Sequence, residues 1–563
     1  MSSGECVVCR KVAVQSCAHC GTISYCGKEH QKEHWSLHKM VCKPYRIERS
    51  DALGRYLVAS RDIKPGELIL KESPIVIGPR MDSVVLCLGC YKSASDSKGE
   101  TRLCGKCNVA PVCCAECETV SHHAGMECNA FSRIFKGNPS FGSLASYMEI
   151  IMPFRCLLMR PEPEVYSEKW ENFLKLESHS FEREDTPIWH HNEEKVVDVL
   201  QSAGVVNTTE DKYLIHKICG ILDVNSFELR GPNPALMTHS AKQGERLRGV
   251  YMEAALMSHD CVGNTHLAVD DDYTMSVHAS TLIKAGDPIL FNYAGTLEST
   301  PERLFRLQEG KYFGCKCKRC SDPTELGTYM GSIICSRCHE GLVVPNNPLQ
   351  EDGVPNSWEC EKCNRKFHPR LIKTSITQAW SEIEDADNTD ARALEILLKR
   401  FSRTFPQSSV VIVEIKQNLV ALYRDVILRE PSPSRKIMQR KITLCTELLK
   451  VLDVVEPGIS RLRGITLYEL HTPMVLLANR EFDSGEISAE TLLNRLLESE
   501  GILKEAVSML LYEPRNSPEG RLLHVAIDQL RILRQNIQDV KMLSEKKISE
   551  EGKKKKNGKK LKK

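Results

Sequence analysis

The alternation of apolar and polar positions parts the chain into stretches with a strand pattern and stretches with a helix pattern. Residues 54–79, GRYLVASRDIKPGELILKESPIVIGP, carry short Leu, Val and Ile blocks broken by Lys64, Pro65, Gly66 and Glu67. Residues 273–293, YTMSVHASTLIKAGDPILFNY, repeat that arrangement around Lys284, Ala285, Gly286 and Asp287. Blocks of that length bounded by turn residues predict half-buried strands joined in hairpins. Residues 130–245 instead show helical apolar spacing, as in FGSLASYMEIIMPFRCLLMR and EKVVDVLQSAG. Helical patterns return from about 370 to 545, in DARALEILLKRFSRTF, SVVIVEIKQNLVALYRDVIL and SRKIMQRKITLCTELLKVL, parted by Pro or Gly. Segregated strand and helix stretches in 563 residues predict a multidomain α+β protein, because one core rarely grows so large.

Charge narrows the function classes. Lys plus Arg (76) and Asp plus Glu (74) nearly cancel. Eight of the lysines lie in the last eleven residues, so the rest of the chain is acidic by six charges, which argues against direct DNA binding. No apolar run approaches the roughly 18 residues of a membrane span, and the start MSSGECVVC lacks a secretory pattern. The expectation is a soluble, unsecreted protein with no membrane partner. The tail EEGKKKKNGKKLKK (residues 546–563 being Lys-rich) is low in complexity and expected to be disordered. It is a candidate nuclear localisation signal, a patch for an acidic partner, or a solubilising terminus.

The 25 cysteines change the picture most. They fall largely in C-x2-C pairs with further Cys and His downstream, which without a secretory signal argues for zinc rather than disulfides. Cys6, Cys9, Cys17, Cys20, Cys26, His30, His38 and Cys42 supply eight ligands, enough for two tetrahedral ions, with His34 able to compete with His30. The i, i+4 spacing of Cys26 with His30 and of His38 with Cys42 would set each pair on one helix face. A further cluster comprises Cys87, Cys90, Cys104, Cys107, Cys113, Cys117, either His122 or His123, and Cys128, with Cys114 a spectator. Cys335, Cys338, Cys360 and Cys363 have the spacing of a zinc ribbon. Each set is complete with four ligands and leaves no position for water, so structural rather than catalytic Zn2+ is expected.

The cluster at 6–42, with Tyr25 and Trp35, resembles a MYND finger, and the cluster at 87–128 resembles a degenerate finger of the same type. The family interleaves its pairs, which implies one ion on Cys6, Cys9, Cys26 and His30 and another on Cys17, Cys20, His38 and Cys42. His30 stands where the family usually has Cys. The segments ALMSHDCVGN (255–264), FNY (291–293) and YFGCKCKRC (312–320) together resemble a SET domain with its post-SET cysteines. The whole chain therefore resembles the SET and MYND family of protein-lysine methyltransferases, most like its arthropod SmydA-type branch. That resemblance implies a MYND finger at 6–42, a SET core split over 46–80 and 246–295, a second finger at 87–128 and a helical insertion at 130–245. It further implies a post-SET zinc segment at 296–323, a ribbon at 332–367 and a TPR-like domain at 370–545. The implied fold is a β-rich pseudoknotted SET core with zinc-stabilised MYND fingers and an all-α TPR-like C-terminal domain, as a monomer.

The resemblance implies methyl transfer from S-adenosyl-L-methionine to a lysine of a histone or non-histone protein. Cofactor binding would fall to Gly54, Arg55, His179, Asn225, Ser258, His259, Tyr293 and Phe313. Phe227, Tyr293 and Phe313 would wall the lysine channel, with Tyr293 as the catalytic hydroxyl, and Asn225 would offer the cofactor both a donor and an acceptor. Cys315, Cys317 and Cys320 would share one zinc with Cys261. Methyl transfer from a sulfonium is an in-line displacement, so alignment and desolvation of a neutral amine suffice, without a nucleophilic side chain or catalytic metal. Ser258 stands where the family has Asn, and loss of that contact would weaken cofactor binding by about 1.5 to 3 kcal/mol. The competing expectation is a silent SET scaffold whose MYND fingers recruit proline-rich peptides or corepressors in transcription regulation. Either reading places the protein in nucleus and cytoplasm.

Overall fold

The computed structural model describes residues 5–560 apart from 21–22, 40–41, 52, 82, 94–101, 120–122, 135–143, 162–166, 231–245, 350–356 and 388. The first finger holds α1 (Lys28–His38) above a two-residue hairpin and has its own small core around Tyr25. Cys26 stands before α1 and Cys42 beyond it, so of the two i, i+4 pairs only His30 and His38 are helical.

The SET core is built from the two strand-patterned stretches. β1 (Tyr45–Ser50) and β2 (Gly54–Ala59) form an antiparallel hairpin, followed by β3 (Leu68–Glu72) and β4 (Val76–Pro79). The turn before β3 closes with Glu67 N–H donating to the Lys64 carbonyl at 3.0 Å, and Gly66 takes φ +83°, where a side chain would be strained. The second finger follows, and its Leu86, Leu88 and Tyr91 belong to the same buried core as Leu57 and Val277. The helical insertion holds α2 (Met126–Ile134), α3 (Leu144–Leu157) and, after several short helices, α4 (Thr209–Asn225), which opens with a capping box between Thr208 and Asp211.

The expected helical stretch to 245 ends early. After Asn225 the backbone turns extended, and β5 (Ser226–Arg230) pairs antiparallel with β6 (Arg246–Val250), itself paired with β4. A five-residue strand directly continuing a 17-residue helix is masked by the helix's own apolar period. Next come β7 (Ser258–His259), β8 (Thr265–Val269), β9 (Met275–Ala279) and β10 (Leu290–Phe291). β9 lies between β8 and β3, and the two similar turns of the sequence meet where Ile63 and Ile283 exchange backbone hydrogen bonds of 2.8 and 3.0 Å.

Helix α5 (Thr300–Lys311) leads to the post-SET cysteines. The ribbon forms a four-stranded antiparallel sheet, β11 (Ile333–Ile334), β12 (Leu342–Pro345), β13 (Trp358–Cys360) and β14 (Lys366–Phe367), and Trp358 packs in one core with the first C-terminal helices. Those helices are α6 (Pro369–Asp385), α7 (Ala391–Phe401), α8 (Val410–Arg429), α9 (Arg435–Val455), α10 (Arg461–Asp483), α11 (Ala489–Leu510) and α12 (Pro518–Lys560). Ser409, Ser434, Ser460 and Ser488 cap α8 to α11, each side chain accepting a first-turn N–H. Consecutive helices from α7 onward pack against one another. The Lys-rich tail expected to be disordered continues α12 as far as Lys560, because Lys, Glu and Gln favour helix and the helix is anchored by its packed N-terminal half; residues 561–563 lie outside the described residues. Among the described residues no helix is long and apolar enough to cross a membrane.

The helical domain is fastened to the SET core. Buried Glu513 accepts from Arg461 at 2.8 Å and meets His266 of β8 at 3.0 Å, while Arg461 also donates to the Leu267 carbonyl. Gly458 presses so closely on the Ser280 carbonyl that a Cβ would lie 2.0 Å from it. Arg230 at the end of β5 pairs with Glu519 of α12.

Candidate active site and zinc centres

A parallel pair of two-residue strands organises the site. β7 lies beside β10, Ser258 opposite Leu290 and His259 opposite Phe291. Asn264 ties this crossing: its amide donates to the Pro288 carbonyl at 3.0 Å and its oxygen accepts the Leu290 N–H at 2.7 Å, while Thr265 donates its hydroxyl to the Leu290 carbonyl. In the sequence Asn264 is visible only as the end of a motif, and its doubly satisfied amide shows it as the knot's own fastening. This parallel pairing of two short segments is the contact a SET-type pseudoknot requires.

His259 and Tyr293 are joined directly. Tyr293 N–H donates to His259 Nδ1 at 3.0 Å, and His259 Nε2 stands 3.3 Å from Cys261 Sγ. Burial pushes the imidazole down to about 4, so the ring is neutral and carries its proton on Nε2. Tyr293 turns its hydroxyl to donate to the Met257 carbonyl, and burial raises its pKa, so it is a protonated donor at neutral pH. An unbroken aromatic path runs from Phe227 to Phe291 (5.9 Å between centroids), Tyr293 (6.2 Å), His259 (5.1 Å) and Phe313 (5.7 Å).

The Phe227, Phe291 and Tyr293 end of this path lines a cleft of about 1490 Å³ between the SET strands and the helical domain, with Asn225 on the same side and Glu513 and Asn516 on the other, while His179, Ser258, His259 and Phe313 lie behind its lining. Asn225 donates both amide hydrogens inward, to the carbonyls of Glu177 (2.7 Å) and Ile221 (2.8 Å). Only its oxygen is left for a ligand, which corrects the expectation that it offers a donor and an acceptor. His179, at φ +47°, stacks on Tyr312 at 4.9 Å. Ser258 is buried beside the knot. Gly54 and Arg55 are exposed at the start of β2 and do not line the cleft; Arg55 donates to the Lys175 carbonyl at 2.7 Å and so joins the strand to the segment carrying His179.

Sequence reasoning missed two groups here. Asp223 near the end of α4 accepts from Arg183 (2.6 Å) and Arg248 (2.8 Å), a buried bridge between insertion and sheet. Lys311, the last residue of α5, turns its amine into the cleft and donates to the Val224 carbonyl, 5.5 Å from the Tyr293 ring centre. Lys311 does have a sequence signal, its position just before the aromatic pair Tyr312 and Phe313.

The predicted ligand sets are gathered as written. Cys6, Cys9, Cys26 and His30 form one group, Cys17, Cys20, His38 and Cys42 another, with all donor atoms of each group within 4.8 Å. His34 instead hydrogen-bonds Tyr25. Cys87, Cys90, Cys113 and Cys117 form a third group and Cys104, Cys107, His123 and Cys128 a fourth; His122 lies outside the described residues. Cys114 is exposed and belongs to neither ligand set, its sulfur accepting the Cys117 N–H at 3.4 Å. Cys261 joins Cys315, Cys317 and Cys320, its sulfur 3.4 Å from that of Cys320. In the ribbon, Cys335 meets Cys363 and Cys338 meets Cys360, each at 3.7 Å. Four soft or imidazole donors converging at these distances fit tetrahedral Zn2+ and leave no ligand position for water. Behind His123, Nδ1 meets Glu127 at 2.9 Å, and Glu127 is held by Arg155, which also reaches the Tyr91 hydroxyl and the Ile77 carbonyl. A carboxylate behind a ligand histidine fixes its tautomer and orientation.

Residues 6–42 match the MYND finger family and residues 54–294 the SET domain family. Among curated proteins the chain is similar to SET domain-containing protein SmydA-8, isoform B, of Drosophila melanogaster. The two are 27% identical over 387 residues, which is 67% of this chain and 80% of that protein. It is also similar to histone-lysine N-methyltransferase ASHR1 of Arabidopsis thaliana, 23% identical over 440 residues, 74% of this chain and 83% of the relative. Among solved structures, the SET domain of LSMT bound to lysine and AdoHcy covers 75% of this chain and 86% of its own at 13% identity, with a TM-score of 0.23, too low a superposition to carry weight. A MYND finger followed by a SET domain, a crossing of β7 and β10 and a shared four-cysteine centre converge on one conclusion: the chain carries a MYND finger at residues 6–42 and a SET domain at residues 54–294.

Proposed function

We propose that this protein transfers a methyl group from S-adenosylmethionine to a lysine side chain of a protein, histone or non-histone, through its SET domain. The observation that carries this reading is Tyr293, whose protonated hydroxyl, donated to the Met257 carbonyl, closes an aromatic path onto His259 and Phe313 beside the knot. S-adenosylmethionine, when bound, supplies the electrophilic methyl. The residues fit it: the Asn225 oxygen, with both amide hydrogens already used, accepts from an ammonium group. Phe313, tilted against the His259 ring at 5.7 Å, offers an apolar face for a base. Ser258, His259 and His179 take positioning roles, and Arg55, next to Gly54 and outside the cleft, acts through its bond to the Lys175 carbonyl. Phe227, Tyr293 and Phe313 exclude water, which lowers the pKa of an incoming lysine toward the neutral amine that reacts. Shielded carbonyls such as that of Met257 orient the amine.

A second activity class is favoured by the first finger itself. Val12 (69%), Val14 (77%) and Leu37 (71%) are largely exposed there, an apolar face suited to proline-rich segments of partner proteins. We assign to it the recruitment of transcriptional corepressors, consistent with residence in nucleus and cytoplasm. Isothermal titration of S-adenosylmethionine into the zinc-loaded protein separates the two classes. Micromolar binding that Asn225→Ala abolishes supports the enzyme. No detectable heat at any accessible concentration overturns it and leaves the finger-centred adaptor.

A further inference from the structure

Three consecutive residues at the end of α5 each meet a residue assigned to the methyl-transfer site. Lys311 sets its amine 5.5 Å from the Tyr293 ring centre, Tyr312 stacks on His179 at 4.9 Å, and Phe313 lies 5.7 Å from His259. The left-handed Tyr312, φ +60°, ends α5 between them. Lys311 is a lysine already inside the cleft where the proposed reaction takes a lysine.

Its surroundings are those a reacting amine needs. Among the described residues it has no carboxylate in an ion pair: Asp223, whose charge reaches it, is engaged by Arg183 at 2.6 Å and Arg248 at 2.8 Å. The amine is held instead by the neutral carbonyl of Val224, one residue before Asn225, and by the face of an aromatic ring. Burial pushes the ammonium down to about 8, against a weaker opposing pull from Asp223, so the reactive free amine, a minor fraction near neutrality, is far more populated than in an exposed lysine. A purely structural lysine would be expected to end α5 with its charge in solvent or in an ion pair, as is usual for a helix C-terminus.

We propose that Lys311 is a methyl acceptor in cis: the chain methylates the lysine at the lip of its own channel. The Nζ lone pair forms the new N–C bond to the sulfonium methyl, the C–S bond breaks with its electron pair passing to sulfur to give S-adenosylhomocysteine, and Nζ releases its proton to solvent. The cofactor is the only co-reactant. This inference rests on the methyltransferase reading. Methylation would remove hydrogen-bond donors from Nζ, weaken its hold on the Val224 carbonyl and leave the channel free for a lysine in trans, so the occupied state is also a self-blocked one.

The test is peptide mass spectrometry of the full-length, zinc-loaded protein incubated with S-adenosylmethionine and no other substrate, at several protein concentrations. The expected result is one or more methyl groups on Lys311, accumulating at a fractional rate independent of protein concentration, as an intramolecular step requires. The Lys311→Arg chain, which keeps the charge and length, should gain none at this position while binding the cofactor by calorimetry. An unmodified Lys311 in a protein that binds the cofactor overturns the inference and leaves the methyltransferase reading standing. A protein that binds no cofactor fails both. Methylation whose fractional rate rises with protein concentration also overturns it, since the acceptor would then be served by a second molecule.

Discussion

At the scale of single residues, the site is set by who already holds whom. Tyr293 spends its hydroxyl on the Met257 carbonyl and its backbone N–H on His259, so its ring and oxygen are fixed before any ligand enters. Fixing a reacting geometry in advance is where much of a rate enhancement originates, and a displacement of an ångström costs about a hundredfold. Tyr293→Phe keeps the ring and removes the hydroxyl. Methyl transfer should fall by roughly a hundredfold while cofactor affinity and zinc content hold, because neither depends on that oxygen. Radiometric methyl transfer beside calorimetry reads the two separately. An unchanged transfer rate would remove Tyr293 from the chemistry.

At the scale of elements, the second finger shows what the residue pattern could and could not disclose. Its seven cysteine ligands were legible because zinc demands them at fixed spacings, whereas spacing left His122 and His123 as alternatives, and the structure gathers His123 with Cys104, Cys107 and Cys128. The knot and the cysteine triplet were legible for a similar reason, as short motifs with a fixed chemical purpose. What no spacing disclosed is that the finger is welded to the SET core through Arg155 of α3. Its guanidinium reaches Tyr91 at 2.7 Å, the Ile77 carbonyl at 2.6 Å and Glu127, which in turn orients His123. These partners lie 28 to 78 positions away in sequence, and an arginine within an apolar helix reads as a simple interruption. The same blindness hid β5, a strand that inherits its neighbour helix's apolar run, and Lys311, whose importance lies in the direction of its side chain. Arg155→Met tests the weld. It leaves Glu127 buried beside a ligand histidine with half its compensation gone, and removal of one partner from a buried pair costs about 3 to 5 kcal/mol. Thermal unfolding should shift down by several degrees, and a chromogenic chelator should draw zinc from the variant first. Unchanged melting and zinc release would show that the finger holds itself.

At the scale of the whole molecule, one wall of the cleft belongs to the helical domain, so the cleft exists only while that domain stays seated. The seat is polar: Arg461 and His266 converge on Glu513, whose side chain is fully buried. Burial alone would raise the carboxyl's pKa, but the bond from His266 and the charge of Arg461 outweigh it and hold the group at about 2, below its ordinary 4.5. A depressed carboxyl contributes stability that is fully present above 4.5 and is lost as pH falls through about 2. Glu513→Gln keeps the shape and removes the charge, leaving Arg461 without its counter-ion. Above pH 5 the variant should be less stable by about 3 to 5 kcal/mol in urea unfolding. The gap should close as the pH is lowered toward 2, because the parent carboxyl then becomes neutral as well. Acid also strips zinc from thiolates, but it does so in both proteins, and the difference between them isolates the seat. A gap that stayed constant across that range would mean that Glu513 acts by packing rather than by charge. The cleft would then be closed by the apolar contacts of the helical domain, and acid would not open it.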